Sequence, residues 1–310
     1  MAVSNSVLAD APTSAELDQP ASVGATILIP AFNEEDGIGP VLEQLKGVMR
    51  DSGIEYEILV VDDGSRDNTA EVVRKHDVHL VQHLVNRGYG AALKTGLRKA
   101  KYELIVITDA DGTYPNERIP ELISEIHDCD MVVGARTGEN THVPLVRRPA
   151  KWFITRLAES ITGSEIPDLN SGLRVFRKSL AMEFYHLFPQ GFSFTTTITL
   201  AMLSNDYPVK FIPVDYHARV GNSKIRPIRD TANFIHLILR TVMYFAPLRI
   251  FLRLALMLFA AAVVVGAYSL IVLGRLMDVT TVILAVAALQ AAMTGMLADL
   301  VDKRIPRGRR

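Results

Sequence analysis

Residues 102 to 112 read YELIVITDADG, a short run of β-branched and aliphatic residues that ends abruptly in two carboxylates, Asp109 and Asp111. A near-continuous apolar run of this length, bounded by polar residues, is the pattern of a strand buried on both faces of a parallel sheet. The same pattern recurs upstream in ATILIPAFNEED (25–36), YEILVVDDGS (56–65) and HLVQHLV (79–85), and downstream in DMVVGART (130–137), with helix-like stretches between them. The alternation predicts an α/β fold with an open, mostly parallel sheet. In such sheets ligands collect at the carboxyl ends of the strands. The residues there are Asn33, Glu34 and Glu35 after the first run, Asp62 and Asp63 after the second, and Asp109 and Asp111 after the fourth. At any single position Asp or Asn also serves as a helix cap, but doubled acids at three strand ends exceed what capping requires.

Asp109 and Asp111 stand two apart on one strand-end loop, a spacing that lets both carboxylates approach one ligand. Hard oxygen donors of this kind suit Mg²⁺ or Mn²⁺, which share their coordination sphere with substrate phosphates. A solvated acidic turn is the ordinary alternative. What favours the metal is the position after a buried strand, beside a second strand ending in Asp62-Asp63-Gly64-Ser65.

The 310 residues suffice for a full hydrophobic core. A lone cysteine, Cys129, excludes an intrachain disulfide and a Cys-rich zinc site. A formal net charge of −1 gives no bulk attraction for nucleic acid. Residues 1–22, rich in Ala, Ser and Pro, have neither the basic nor the long apolar segment of a signal peptide and read as a disordered tail.

Mean hydropathy is +0.19, and the excess lies near the carboxyl end. Residues 254–274 carry no charge and 279–301 only Asp299, each long enough to span a bilayer core that needs about 20 residues. The link between them, Arg275 to Asp278, is very short, so both flanks lie on one side. Those flanks are basic, with Arg249 and Arg253 before and Lys303, Arg304, Arg307, Arg309 and Arg310 after, which places them and the α/β domain on the cytoplasmic side of the inner membrane. Ala287, Ala291 and Gly295 recur every fourth residue, a spacing that permits close packing within the hairpin or between subunits of a homo-oligomer. From Arg219 to Arg253 there are seven Lys or Arg residues and one acid, Asp230, among apolar and aromatic residues, a composition suited to helices lying at the membrane interface.

PAFNEE, VVDDGS, NRGYGAALKTGL, DADG and DLNSGLRVFRK occur in an order and spacing that resemble family 2 glycosyltransferases of the GT-A fold, and more narrowly their polyprenyl-phosphate branch, typified by dolichyl-phosphate mannosyltransferases and undecaprenyl-phosphate glucosyltransferases. The resemblance covers about residues 23–226. It implies a UDP- or GDP-linked sugar donor, with Pro30 to Glu34 lining the base pocket, Asp62 or Asp63 on the nucleoside, and Asp109 and Asp111 holding the metal on the diphosphate. Arg87 and Lys94, in NRGYGAALK, would add positive charge near that diphosphate. An exposed helix surface is the competing reading for both. The mannosyltransferases often carry a Gln two residues beyond the second Asp, where this chain has Thr113.

The acceptor implied by the resemblance is a polyprenyl phosphate, undecaprenyl or dolichyl. Arg219-Val220-Gly221-Asn222-Ser223-Lys224 matches the branch's R-x-G-x-S-K segment, whose Arg219, Ser223 and Lys224 can clamp a phosphate monoester. Arg136, Arg147 and Arg148 are further acceptor-phosphate candidates, and Asp168 of the D-x-x-S-G segment is expected near the sugar. The product would be a lipid-linked monosaccharide formed with inversion. The organisation expected is a 1–22 tail, a 23–226 GT-A domain, 227–252 interfacial helices, a 253–302 two-span hairpin and a 303–310 basic tail. A processive polysaccharide synthase would carry Q-x-x-R-W, and the single tryptophan, Trp152, lies in RRPAKW instead. A membrane-anchored scaffold without catalysis is disfavoured by the intact Asp109 and Asp111 pair. A dinucleotide oxidoreductase is disfavoured because Gly88 and Gly90 lack the third fingerprint glycine.

Overall fold

The computed structural model of the chain describes residues 24–137, 155–156, 158–160, 162–191, 193–217, 247–274 and 279–304. Seven strands form one sheet: β1 Ala25–Ala31, β2 Tyr56–Asp62, β3 His79–Gln82, β4 Leu104–Ile107, β5 Met131–Ala135, β6 Arg174–Arg177 and β7 Val209–Pro213. Their order is β3-β2-β1-β4-β6-β5-β7. All pairings are parallel except those of β6, which runs antiparallel between β4 and β5. The expected α/β, mostly parallel sheet is therefore present. The expected strand ends of β1, β2 and β4 are neighbours at one edge, where Ala31 pairs with Asp62 and Leu28 with Ile107.

The antiparallel β6 matters for function. Because its first residue, Arg174, pairs with Ile107 of β4 and Val133 of β5, the segment leading into it arrives at the edge where the other strands end. Residues 168–172 are thereby delivered beside Asp109.

Helices cover both faces of the sheet. On one face lies α1 (Ile38–Ser52), which buries Ile38, Val41, Leu42, Leu45 and Met49 at the three-and-four spacing of an amphipathic helix. It is joined there by α2 (Thr69–Arg74) and α4 (Ile119–Ser124), whose Val73, Ile119 and Leu122 belong to the same core. On the other face lie α3 (Tyr89–Lys99), α5 (Lys178–Glu183) and α6 (Phe194–Ser204), packed on Leu28, Leu59, Ile105 and Phe176.

Two long apolar helices follow, α7 (Pro247–Leu273) and α8 (Val279–Arg304). Their membrane-length stretches are Ile250–Val272 and Val279–Val301. They pair antiparallel: a side-chain carbon added at Gly295 would meet Phe251 Cβ at 2.6 Å, and one added at Gly266 would meet Thr281 Cγ2 at 3.1 Å. The small residue at 295 thus serves packing within the hairpin. Helix α7 begins at Pro247, inside the stretch expected to form interfacial helices. Residues 227–246 of that stretch lie outside the described residues.

The hairpin is attached to the sheet domain. Ile250 packs on a small cluster formed by Ala158, Ile166, Leu169, Leu200 and Leu203. Arg253 donates from Nη1 to Ser160 Oγ at 2.8 Å and from Nη2 to Ser160 O at 2.9 Å.

Candidate active site

At the carboxyl edge the loops after β1 and β2 are laced together by their own polar groups. The Asn33 N–H donates to Ser65 Oγ at 2.9 Å and Asn33 Oδ1 accepts from the Arg66 N–H at 2.8 Å. The Glu34 N–H donates to Thr69 Oγ1, and Glu35 Oε2 accepts from both the N–H and Nδ2 of Asn68. Asn33 adopts φ 53°, a left-handed geometry that asparagine tolerates better than most residues. Pro30 is buried within β1 opposite Val61. These contacts set a rigid rim, which is what several of the strand-end polar residues do here.

Asp62 and Asp63 are 1% and 2% exposed. Asp62 accepts from the Ser65 N–H at 3.0 Å and from Gln82 Nε2 at 3.0 Å. Asp63 accepts from the N–H groups of Arg87 and Gly88, at 3.0 and 2.7 Å, and lies 2.7 Å from His83 Nδ1, whose other nitrogen meets Thr95 Oγ1 at 2.9 Å. Asp63 therefore folds the segment between β3 and α3. The Arg87 side chain is exposed on that segment. Lys94, five residues beyond Tyr89, donates to the Phe188 carbonyl at 3.1 Å and sits 4.6 Å over the Tyr185 ring. Burial and then Arg98 lower its pKa.

The glycines of NRGYG serve packing. A Cβ at Gly90 would stand 2.2 Å from the Pro189 carbonyl oxygen and 2.8 Å from that of Gly191. The Ala91 N–H donates to the Gln190 carbonyl at 3.0 Å, so residues 189–191 cover the start of α3.

Asp109 and Asp111 occupy the centre of the edge. Asp109 is partly exposed, and its Oδ1 accepts from the Tyr89 hydroxyl at 3.2 Å. Burial, and next the Asp109 charge, raise the Tyr89 pKa well above its ordinary value, so the phenol remains a donor. Asp111 is 7% exposed and its Oδ1 accepts from the N–H and the hydroxyl of Thr113, at 3.2 and 2.7 Å. Thr113 is fully buried. At the place where the resemblance suggests a Gln, this chain thus has a residue that orients the second carboxylate.

Gly172 closes the other side of Asp109. A Cβ there would lie 2.8 Å from Asp109 Oδ2, and the Gly172 N–H donates to the Tyr114 hydroxyl at 2.6 Å. Two strand-end carboxylates, one of them against a glycine that leaves room, fit a divalent cation that completes its sphere with phosphate oxygens. Among the described residues no group of three or more His, Cys, Asp or Glu would hold a metal unaided.

Asp168 and Arg136, expected separately at the sugar and at the acceptor, are bonded to each other. Arg136 Nε donates to Asp168 Oδ2 at 2.7 Å and Nη2 to Oδ1 at 3.0 Å, while the Arg136 N–H adds a third bond at 3.1 Å. Asp168 is 1% exposed and the Arg136 side chain 23%, with its guanidinium 5.3 Å from the Tyr216 ring centre. Burial opposes the charge on Arg136, but Tyr114 and Asp168 outweigh it and raise its pKa. Arg147, Arg148, Arg219, Ser223 and Lys224 lie outside the described residues.

The site thus unites Tyr89, Asp109, Asp111, Tyr114, Arg136, Asp168 and Gly172. Tyr89 and Gly172 lie in the motifs NRGYGAALKTGL and D-x-x-S-G but were not expected as site residues, and Tyr114 lies in no such motif. Only the fold brings Tyr89 to Asp109 and Tyr114 to Gly172.

A mostly parallel α/β sheet with paired carboxylates at the carboxyl ends of its strands is the arrangement expected of a GT-A nucleotide-sugar transferase. The chain belongs to glycosyl transferase family 2, whose sequence model matches residues 26–184. An uncharacterised protein of Methanocaldococcus jannaschii is 35% identical over 158 residues, 48% of this chain; the alignment spans 63% of that relative's own length. Glucosyl-3-phosphoglycerate synthase of Mycobacterium tuberculosis, solved with Mn²⁺, UDP-glucose and phosphoglyceric acid, superposes with TM-score 0.56 at 19% identity, covering 71% of this chain and 79% of that one. Mannosyl-3-phosphoglycerate synthase of Rubrobacter xylanophilus gives TM-score 0.55 at 19% identity, covering 71% and 72%. At these identities the likeness to the two synthases is one of fold.

Proposed function

We propose that this glycosyltransferase moves a sugar from a nucleotide-sugar donor to a polyprenyl phosphate at the cytoplasmic face of a membrane, giving a lipid-linked monosaccharide with inversion. The observation that carries the reading is the attachment of an apolar, membrane-length hairpin to the domain that presents Asp109 and Asp111, through Ile250 and Arg253. A soluble acceptor does not require such an attachment. The R-x-G-x-S-K segment from Arg219 to Lys224 and the pair Arg147 and Arg148 supply further cations suited to a lipid phosphate.

Asp109 and Asp111 would hold Mg²⁺ or Mn²⁺, which when bound neutralises charge developing on the departing diphosphate. Tyr89 keeps Asp109 in place through its hydroxyl, and Thr113 does the same for Asp111. Arg136, fixed by Asp168, offers its remaining N–H groups to the acceptor phosphate. A phosphate monoester has a second pKa near 6 and is largely dianionic at neutral pH. Its oxygen attacks the anomeric carbon without a protein base, so Asp168 orients Arg136 and removes no proton.

The test incubates the purified full chain with radiolabelled UDP- and GDP-sugars, Mn²⁺, and either undecaprenyl phosphate or 3-phosphoglycerate. Label in the organic phase with one donor, lost on Asp111→Ala while thermal melting is retained, is the expected result. Label only in phosphoglycerate, or in neither acceptor, overturns the lipid assignment.

A further inference from the structure

Arg174 is the first residue of β6 and is fully buried. Its guanidinium is spent on neutral oxygens. Nε donates to the Ser171 carbonyl at 3.2 Å and Nη2 donates to the same oxygen. Nη1 donates to the Thr195 carbonyl at 2.9 Å and to Thr199 Oγ1 at 3.1 Å, both on α6. Burying a cation is costly even after relaxation, so an apolar residue would fill this volume more favourably if filling were all it did. Burial lowers the Arg174 pKa to about 10, which still leaves the group cationic at neutral pH.

We propose that Arg174 is a positioning residue for Asp109, acting through the Ser171–Gly172 turn. The rigid fork clamps the Ser171 carbonyl and ties it to α6. The next residue, Gly172, is then held with its N–H on Tyr114 and its α-carbon against the Asp109 carboxylate, where a single added carbon would stand 2.8 Å from Oδ2. Asp109 is held on its opposite oxygen by Tyr89. The carboxylate is therefore gripped between α3 and the turn before β6, and Arg174 fixes the second jaw. Lysine cannot reproduce this, because its ammonium lacks the planar fork that reaches two helix oxygens and a turn carbonyl together.

The inference rests on the reading that Asp109 helps hold a divalent cation, and its test separates the two. Mn²⁺ binding to the purified full chain with UDP and no acceptor is followed by electron paramagnetic resonance, without turnover. Arg174→Lys and Arg174→Gln are expected to weaken Mn²⁺ binding five- to tenfold and lower kcat, with KM for the lipid phosphate within twofold of wild type. Thr199→Val, which removes one of the four bonds, is expected to weaken Mn²⁺ two- to threefold. A folded Arg174 variant with wild-type Mn²⁺ affinity and only a lower Tm overturns the proposal. Should neither Arg174 variant fold, wild-type affinity in Thr199→Val overturns it. Wild-type protein that binds no Mn²⁺ in the presence of UDP defeats the metal reading itself, and the positioning role with it.

Discussion

Asp168 shows how an individual residue's role turns on its partner. In the sequence it is one acid in DLNSGLRVFRK, and Arg136 is an arginine after a strand 32 positions earlier; folded, they share three hydrogen bonds at one sheet edge. Removing one member of such a buried pair costs about 3–5 kcal/mol, because the other is left charged and under-bonded. Asp168→Asn keeps one acceptor oxygen and loses the charge, so it is expected to lower Tm and to raise KM for the acceptor phosphate more than KM for the sugar nucleotide. Steady-state kinetics with each substrate varied checks this, and equal rises in both would count against Arg136 facing the acceptor. Asp109 and Asp111 were legible beforehand because an apolar strand immediately precedes them. Their supports were not: Tyr89 is 20 residues away from Asp109 and Tyr114 is 58 from Gly172, and nothing local marks such pairings.

Among the elements, the parallel strands announce themselves because a strand covered on both faces must be apolar throughout. Strand β6 escaped that signal. It reads RVFR, two apolar residues between two arginines, of which Arg174 is buried against α6 and Arg177 is partly exposed. Its antiparallel direction is a property of the pairing with β4 and β5 and has no local signature. Helix α3 shows the same limit in another form. Gly88 and Gly90 look like a phosphate loop by spacing, yet they are small so that residues 189–191 can pass over the helix start. Gly90→Ala is expected to destabilise the protein by about 1–3 kcal/mol through overpacking. Gly47→Ala, in the interior of α1 with nothing within 4 Å of the added carbon, is expected to stabilise it by about 1 kcal/mol through helix propensity. Thermal melting of the two variants side by side is the measurement; a Gly90 variant that melts with wild type would show that the 189–191 contact is loose.

For the whole molecule the decisive quantity is apolar surface with no protein to cover it. Only 11% of each membrane-length window is buried within the chain, and residues such as Leu256, Val264, Ile271, Ile283 and Leu297 are exposed. Soluble monomers rarely expose contiguous apolar surface of this kind. The chain is therefore expected to remain in the membrane pellet after alkaline carbonate extraction and to be released by detergent. Recovery in the carbonate supernatant would remove the membrane assignment and with it the case for a lipid acceptor. The composition and order of residues alone determined that an α/β sheet with acidic strand ends is followed by two long apolar helices, because a strand buried on both sheet faces and a helix of membrane length each show as a local run of apolar side chains. Only the tertiary structure decided which polar groups meet, namely that Arg136 holds Asp168, that Thr113 holds Asp111 and that Arg174 reaches the turn beside Asp109. Hydrogen bonds act over about 3 Å in space, while the residues that make them are separated along the chain by whatever the intervening strands and helices require.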